Sequence, residues 1–378
     1  MQHTASSINK TEKQIKVLML VPNLRVSNGV TSYAMNYFRG LDHTSIRVDF
    51  AAYKKWENPY EDGIIEAGGK VYVLPPIKKI VSHVKACKEI IKSGQYDIIH
   101  DNSLLITYPL MRIAKNYVKV RILHSHSARL GETARNEKRN RLFLPLLLRT
   151  SNYYAACSEK AGRALFGEKQ FTVIPNVIHT EHYRFDREIR ERIRSQFGVK
   201  DKKVIGAVGR LTDAKNPFFA IDIMEKVFAI EDKIIFWWIG NGVLDEEVAR
   251  YVKDNKLDDK VFLLGARNDV PDLLQAMDVF FLPSKSEGFG LACLEASATG
   301  LPCIVSNNFP SDVNVAGNIQ FLSLNCSMDL WAKKIIDALH LHPDRIQASV
   351  AIAGSECSDE DAGERLYRYY RSILNAEK

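Results

Sequence analysis

One short stretch of the sequence combines residues that could bind an activated sugar. SEGFGLACLEASATGLP, residues 286–302, places Glu287 and Glu295 eight positions apart, with Gly288 and Gly290 after the first. An apolar run precedes it, so the pattern predicts a strand, a turn and then a helix that begins near residue 290. Unpaired amides at a helix start bind phosphate, and a carboxylate beside them accepts hydrogen bonds from hydroxyl groups. The stretch therefore predicts a sugar-nucleotide site.

Two cations on another loop support this interpretation. GRLTDAKN, residues 209–216, ends an apolar strand and places Arg210 and Lys215 five positions apart. Two cations at the carboxyl end of a strand can neutralise a diphosphate without a metal ion. Alone, the first stretch also fits an ordinary buried helix start, and the second fits surface charges. Their combination favours a diphosphate site.

The elements that must position these residues form a regular alternation of strands and helices. Strand patterns cover residues 15–22, 47–53, 70–75, 97–102, 120–127, 153–158, 203–211, 233–242, 260–267, 279–284 and 302–307. Helical patterns separate them, which is typical of open parallel sheets covered on both faces. We therefore predict an α/β protein with two doubly wound, Rossmann-like domains facing each other across a cleft, where such folds bind ligands.

The junction FTVIPNVIHTEHYRFD carries a proline and no helical pattern, so it predicts the domain boundary. Residues 1–172 are expected to form an acceptor-binding domain, and residues 173–361 a nucleotide-sugar-binding domain. The final segment, 362–378, has apolar residues at helical spacing and is expected to pack back on the first domain.

Composition limits the class of protein. The chain has 378 residues, 46% of them hydrophobic, as in a globular protein of two domains. Its six cysteines contain no CxxC pair, which disfavours a disulfide framework or a structural zinc site. No apolar run approaches the roughly 18 residues of a spanning helix, and the N-terminus lacks the apolar core of a signal peptide. A cytoplasmic protein is predicted.

The charge is unevenly distributed. Residues 1–180 carry 27 Lys and Arg against 14 Asp and Glu, whereas the remainder carries 25 against 31. Nucleic acid, a lipid surface and a phosphorylated substrate all suit a basic first half. Nucleic acid is disfavoured, because aromatic and basic residues are not interleaved there.

Two basic segments of the first half could meet a membrane. In residues 77–92, one predicted helix face carries Ile77, Ile80, Val81, Val84, Cys87 and Ile91, and lysines lie away from it. Residues 128–149 combine six basic residues with a Leu/Phe cluster. These patterns fit docking on an anionic membrane, and they equally fit solvated helices packed on their own sheet.

Together the motifs resemble a known family, the retaining family-4 glycosyltransferases of GT-B fold, and within it bacterial exopolysaccharide and capsule enzymes. The resemblance spans about residues 15–315. The matching pieces are SNGV (27–30), YDIIH (96–100), LHSH (123–126), VIPNV (173–177), VGRLTDAKN (208–216), GNG (240–242) and residues 269–306, which carry the E-x7-E signature.

The resemblance implies roles for individual residues. Glu287 would bind hydroxyls of the donor sugar and Glu295 the ribose, while backbone near Arg267 would contact the base. Arg210 and Lys215 would bind the diphosphate. The remaining implied contacts are backbone amides at Phe289, Gly290 and Leu291, and Gly29 against the phosphates and sugar. His124 would lie over the reacting sugar, and His126 is the alternative because HSH leaves the register open.

The resemblance also implies a reaction. A hexose would pass with retention from a nucleotide diphosphate, expected to be UDP, to a glycan or lipid-linked glycan during synthesis of a bacterial surface polysaccharide. No metal or other cofactor is expected. The D-x-D pattern at 359–361 precedes a helix and is interpreted as a helix cap. Peripheral attachment to the inner face of the plasma membrane is expected if a membrane is the anionic partner.

Three alternatives remain on the sequence alone. A sugar-nucleotide epimerase or a phosphorylase could share the fold, although no motif indicates the lysine of a pyridoxal phosphorylase. A non-catalytic sugar-nucleotide-binding subunit is disfavoured, because the set formed by Glu287, Glu295, Arg210 and Lys215 is intact.

Overall fold

The computed structural model describes residues 13–25, 29–53, 60–131, 134–341 and 343–377. Its first sheet has seven parallel strands in the order β3-β2-β1-β4-β5-β6-β7. These strands are β1 Ile15–Val21, β2 Ile46–Ala52, β3 Val71–Val73, β4 Ile98–Asp101, β5 Val120–Ser125, β6 Tyr153–Ala156 and β7 Thr172–Val173. The order turns back between β1 and β4, which creates a crevice at the carboxyl ends of these two strands.

Helices cover both faces of the first sheet. They are α1 Gly29–Arg39, α2 Glu61–Glu66, α3 Ile80–Gly94, α4 Tyr108–Ala114, α5 Ala134–Leu148 and α6 Glu159–Phe166. Separate apolar clusters lie on the two sides of β1. Val17, Met19 and Val21 pack with α1, whereas Leu18 and Leu20 pack with α3 and α4. Strands buried on both faces explain the continuous apolar runs of the sequence.

The second sheet repeats the arrangement. Its six parallel strands follow the order β10-β9-β8-β11-β12-β13. The strands are β8 Lys203–Val208, β9 Ile234–Ile239, β10 Val261–Gly265, β11 Val279–Leu282, β12 Cys303–Ser306 and β13 Ile319–Leu322. The helices from the junction onward are α7 Thr180–Tyr183, α8 Arg187–Gln196, α9 Pro217–Ile230, α10 Asp245–Asp254, α11 Val270–Ala276, α12 Leu291–Ala298, α13 Met328–Leu339, α14 Arg345–Ala353 and α15 Ala362–Ala376.

The predicted fold class is confirmed, because both halves are doubly wound α/β domains. Every predicted strand is present, most of them shorter than the apolar run that indicated it. Two further strands, β7 and β13, were not predicted from the sequence, and they have only two and four residues. Such short segments offer too few positions for a period of two to be recognised.

The junction and the terminal helix connect the two domains. The expected boundary at 172/173 falls within β7, which pairs with β6 of the first sheet. After the second domain, the chain forms a bridge between Ser358 and Ile178 and enters α15. This helix packs on α1, and its Leu366, Tyr370 and Ile373 enter the apolar cluster of the first domain. The end of the chain thereby completes the first domain.

The apolar face predicted for residues 77–92 meets the sheet only in part. The side chains of α3 that face the sheet are His83, Cys87, Ile90 and Ile91. Ile80 and Val81 are instead 52% and 82% exposed. The helix begins only at Ile80, and the stripe that packs inward follows the spacing 83, 87, 90, 91, 94, a neighbouring face of the same helix.

Candidate active site

The turn between β11 and α12 has the geometry of an anion site. Gly290 adopts φ +96° immediately before α12, in the left-handed region that glycine tolerates best. A Cβ atom at Gly290 would lie 2.5 Å from the Phe309 ring, so the position has no room for a side chain. Phe289 is buried, and the amides of Leu291 and Ala292 precede the first hydrogen bonds of α12, which run from Cys293 and Leu294 to the Gly290 carbonyl.

Glu287 is paired with Lys215 at this turn. The Lys215 Nζ donates a hydrogen bond to Glu287 Oε1 at 2.5 Å, and only 7% of Glu287 is exposed. Lys215 ends the short turn that follows β8, so the pair joins the loops after two adjacent strands. A second pair, Lys285 with Asp213 at 2.6 Å, joins the same loops at the surface. The structure thus brings together two residues that are 72 positions apart in sequence.

Glu295 lies on α12, against the junction between the domains. Burial raises the pKa of its carboxyl to about 7, and the Tyr183 hydroxyl partly opposes that shift. Tyr183 ends α7, which packs on α12. A carboxyl in this setting can exchange a tyrosine hydroxyl for a ligand hydroxyl without gaining a charge.

The other predicted donor residues surround the same edge of the second sheet, with one exception. Arg210 is exposed on the loop after β8. Arg267 follows β10 and pairs with Asp269 through two contacts at 2.8 and 2.5 Å. Gly29 is the exception, since it begins α1 in the first domain, where no atom of the described residues lies within 4 Å of the position of a Cβ atom.

The two histidines of the HSH motif occupy different environments. His124 lies within β5 and is completely buried, whereas His126 follows the strand and is half-buried. Their rings stack with centroids 4.0 Å apart. The His126 Nε2 lies 2.8 Å from Asn102 Oδ1, and Asn102 directly follows β4. His126 is therefore the member of the motif at the carboxyl edge of the sheet.

These histidines are uncharged at neutral pH. Burial lowers the pKa of His126 to about 3, and burial also holds the pKa of His124 well below its usual range. Asn102 Nδ2 donates to the His100 carbonyl at 3.3 Å, so its Oδ1 faces His126. The His126 Nε2 must then carry the proton, and its Nδ1 is left as an acceptor.

The first domain contacts the donor turn directly. A Cβ atom at Gly288 would lie 2.0 Å from the His126 carbonyl oxygen, so only glycine permits this approach. Ser158 Oγ donates to the Gly288 carbonyl at 2.6 Å, and Lys160 Nζ donates to the Asn308 carbonyl at 2.6 Å. The cleft between the domains is therefore closed at this point, with His126 opposite the turn that carries Glu287.

Sequence reasoning missed Asn102, Ser158, Lys160 and Tyr183. Asn102 and Ser158 stand at the ends of the strand patterns DIIHDN and YYAACS, where polar residues reach the carboxyl edge of a sheet. That signal was available. Lys160 had no signal, because its contact depends on how the two domains meet, and Tyr183 had none, because its partner on α12 is distant in the sequence.

A metal centre would need several acidic, histidine or cysteine side chains grouped together in the described ranges. Within them, no three His, Cys, Asp or Glu side chains are grouped so as to hold a metal ion. Asp361 of the D-x-D pattern occupies the N-cap position of α15 without capping through its side chain, and Asp359 lies 3.6 Å from His179. Nor is any helix in the described parts of the chain long and apolar enough to cross a bilayer.

Two glycosyltransferase family models match the chain. The family model described as "Glycosyltransferase Family 4" matches residues 27–182, and the model described as "Glycosyl transferases group 1" matches residues 189–352. EpsF of Bacillus subtilis (strain 168), named as a glycosyltransferase, is 26% identical over 344 residues, which cover 88% of this chain and 89% of EpsF. An Escherichia coli UDP-Gal:alpha-D-GlcNAc-diphosphoundecaprenol alpha-1,3-galactosyltransferase is 29% identical, covering 79% of this chain and 81% of the relative.

A solved structure shares the fold. The crystal structure of Anabaena Alr3699/HepE in complex with UDP and glucose aligns with a TM-score of 0.77 at 18% identity, covering 95% of this chain and all of that one. The two family models divide the chain between them in the order of its two sheets. Residues 27–182 therefore match the family-4 glycosyltransferases and residues 189–352 match the group 1 glycosyltransferases, and the two domains together form the GT-B fold.

Proposed function

We propose that the protein transfers a hexose from a UDP-sugar to a glycan or lipid-linked glycan, with retention at the anomeric carbon. The observation that carries this proposal is the Lys215–Glu287 pair at the amide-lined start of α12, facing His126 across the cleft. The site offers positive charge for a diphosphate, a carboxylate for sugar hydroxyls and a neutral imidazole on the opposite side.

The diphosphate is expected to bind between Arg210, Lys215 and the first amides of α12. A lysine ammonium has three donors, so Lys215 can keep its bond to Glu287 and still bind a phosphate oxygen. It also screens the carboxylate from the incoming anion. These groups supply the charge that stabilises the leaving diphosphate, and we therefore propose that transfer needs no metal ion.

His126 is the histidine that we propose faces the donor sugar, the alternative left open by the sequence. His124 has no exposed surface, whereas His126 is half-buried and lies against Gly288. Its Nδ1 can accept a hydrogen bond from a sugar hydroxyl. On the other side, Glu287 accepts hydroxyls, and Glu295 is proposed to accept those of the ribose in place of Tyr183.

The proposed step is a substitution on one face of the sugar. The bond from the anomeric carbon to the diphosphate oxygen breaks, and the acceptor oxygen bonds to that carbon from the same side. The acceptor proton passes to the departing phosphate, so charge and protons balance without an enzymatic nucleophile. Glu287, which holds hydroxyls, and the cations, which hold the leaving group, act by position and electrostatics.

A lipid-linked acceptor of a surface polysaccharide fits the first domain. That half of the chain carries the excess of basic residues, which suits a diphosphate-linked acceptor. Two relatives support the assignment, since one galactosyltransferase is named for a diphosphoundecaprenol acceptor, and WclY of Escherichia coli is named for O-antigen biosynthesis. UDP is the proposed nucleotide because solved relatives contain UDP or UDP-glucose.

We also propose that the protein is cytoplasmic and docks on the inner face of the plasma membrane through α3. Ile80 and Val81 are exposed and stand beside a groove of about 770 Å³ that is lined also by Lys85, Lys88 and Lys92. Apolar side chains among lysines match the interface of an anionic bilayer. Docking there would place the first domain next to a lipid-linked acceptor.

The test begins with thermal shift measurements against nucleotide sugars, because a ligand stabilises by RT ln(1 + [L]/Kd). The donor that stabilises the protein is then incubated with a diphospholipid-linked sugar acceptor, with and without EDTA. We expect release of UDP that matches product formation, a product with the donor's anomeric configuration by NMR, and no effect of EDTA. Conversion of the donor into another nucleotide sugar without any acceptor would show that the protein is an epimerase and not a transferase. A product with inverted anomeric configuration would exclude retention.

A further inference from the structure

A buried chain of aromatic side chains connects the last helix to the histidine at the cleft. Tyr370 of α15 lies with its hydroxyl 2.7 Å from His100 Nδ1, and His100 Nε2 lies 2.9 Å from His124 Nδ1. The His124 ring stacks on His126 at 4.0 Å, with 18° between the planes. Tyr370, His100 and His124 are completely buried. The family-model matches end at residues 182 and 352, so Tyr370 lies outside both.

The hydrogen bonds in this chain have a preferred direction. Burial lowers the pKa of His100 to about 3, so its neutral ring has one donor and one acceptor nitrogen. If Tyr370 donates to His100 and His100 donates to His124, only the His124 Nε2–H lacks a partner among the described residues. The reverse direction would leave both the tyrosine O–H and a histidine lone pair unpaired. The first direction is therefore favoured, because unpaired buried groups are costly.

These hydrogen bonds and ring contacts reach the cleft through His126. Its ring is held on one face by His124 and approached by Tyr33 of α1, with centroids 4.6 Å apart. The polar bond that holds its plane runs from Nε2 to Asn102. A His124 ring that could rotate or change tautomer would no longer give His126 a fixed surface to stack on.

We propose that Tyr370 is a positioning residue for His126, acting through the hydrogen bonds of His100 and His124. This inference rests on the proposed function, in which His126 contacts the donor sugar. The inference gives α15 a role in catalysis, because this helix supplies the tyrosine hydroxyl that contacts His100. The diphosphate, by contrast, is proposed to bind Arg210, Lys215 and the first amides of α12, so its binding should change little when Tyr370 is substituted.

The experiment compares Tyr370→Phe with Tyr369→Phe, a neighbour on the same helix that lies outside the histidine chain. Donor turnover by Tyr370→Phe is expected to fall about tenfold in kcat, with KM for the UDP-sugar within about twofold of the wild type, since misplacement affects the reacting sugar and not the diphosphate. Tyr369→Phe should retain wild-type kcat. Equal kcat in wild type and Tyr370→Phe, or equal losses in both variants, would overturn the proposal.

Imidazole nitrogen NMR of the wild-type protein gives a second readout that does not depend on turnover. We expect the proton on Nε2 of His100, His124 and His126, and a changed tautomer or broadened signal at His124 in Tyr370→Phe. A proton on Nδ1 of His100 would mean that the hydrogen bonds between Tyr370, His100 and His124 run in the opposite direction. That result would overturn the inference, even if the variant failed to fold. If the wild type transfers no sugar from any donor, the proposed function fails, while these signals still decide whether Tyr370 orders the histidines.

Discussion

Glu287 is the residue at which charge and position can be separated most cleanly. Its carboxylate is 7% exposed, bonds to Lys215 and lies beside the amides proposed to hold the diphosphate. Glu287→Gln keeps the shape and removes the charge. We expect kcat to fall by roughly 10²–10³, the usual loss when one preorganised group at a reacting centre is removed. UDP should bind at least as tightly as before, because a negative charge near the diphosphate is gone. Initial rates and calorimetry measure the two effects.

The matched control is Asp213→Asn. Asp213 pairs with Lys285 at 2.6 Å and joins the same two loops, but it lies at the surface. If joining the loops were the task of Glu287, both variants would lose activity together. Wild-type turnover by Glu287→Gln would refute the assignment of this carboxylate to the donor sugar.

Glu295 gives a prediction for stability and pH. Its pKa of about 7 lies above the usual value, so between about pH 4.5 and 7 the folded protein holds a proton that the unfolded chain releases. The stability that the protonated Glu295 carboxyl gives to the folded protein is fully present at low pH and is lost as the pH rises through 7. Glu295→Gln escapes this loss. The free energy of unfolding of the variant relative to wild type should therefore increase with pH, by at most about 1.4 kcal/mol per unit.

Urea denaturation between pH 5 and 8 measures that difference. Glu246→Gln, on the exposed side of α10, is the control and should differ from wild type by a constant amount. A Glu295→Gln advantage that grew toward acid pH would contradict the buried, proton-retaining environment assigned to this carboxyl.

Residues of the site differ in how far the sequence could predict them. Glu287 and Lys215 could be predicted, because a strand end, a glycine turn and a helix start are local features of the sequence. The structural difference between His124 and His126 could not be predicted, because it depends on β5 ending at Ser125. The end of a strand is uncertain when only the sequence pattern is known. Tyr370 could be placed on an inward helix face, but not 2.7 Å from a histidine 270 positions away.

At the scale of elements, α3 shows that a correct helix prediction does not decide which face of the helix meets the sheet. Apolar residues on this helix follow two stripes, and only packing decides which one meets the sheet. The inward stripe includes His83 and Gly94, which an apolar pattern does not count. The stripe left outside carries Ile80 and Val81 among lysines. Part of the apolar face predicted from the sequence is therefore available for a partner, which is one of the two possibilities that the pattern left open.

The membrane proposal can be tested on that face with one substitution. Val81→Asp replaces an 82% exposed apolar side chain by an anion. Binding to vesicles that contain phosphatidylglycerol should fall by roughly tenfold or more, because both the apolar contact and the attraction between charges are lost. Since the side chain is exposed, the free energy of unfolding should change by no more than about 0.5 kcal/mol. Flotation measures the binding.

Val243→Asp is the control for this experiment. Val243 is 80% exposed and lies in the second domain, so it matches Val81 in type and exposure but not in location. Equal losses in both variants would indicate a general effect of charge, and failure of the wild type to bind anionic vesicles would exclude docking through α3.

At the scale of the whole molecule, contacts between the domains close the cleft at the proposed site of the donor sugar. Gly288 lies against the His126 backbone, and Ser158 and Lys160 donate to carbonyls of the second domain. The α/β alternation predicted two sheets and a cleft between them, because each domain follows from its own pattern. It could not predict these contacts, since they arise only when the two domains are brought face to face. A closed cleft excludes water, which would otherwise hydrolyse the donor.

Lys160 allows this closure to be tested in the complete protein. Lys160→Met removes the donor to the Asn308 carbonyl and leaves the N-cap of α6, Ser158, in place. An exposed charged hydrogen bond contributes about 1 kcal/mol, so the open state should become about fivefold more populated. We expect hydrolysis of the UDP-sugar without acceptor to rise by a similar factor while transfer declines. The control is Arg163→Met. In the hydrogen bonds described, this cation of α6 contacts only its own helix and the residues that follow it. The Arg163→Met variant should therefore hydrolyse the donor at the wild-type rate. Unchanged hydrolysis by Lys160→Met would show that this contact does not hold the cleft closed.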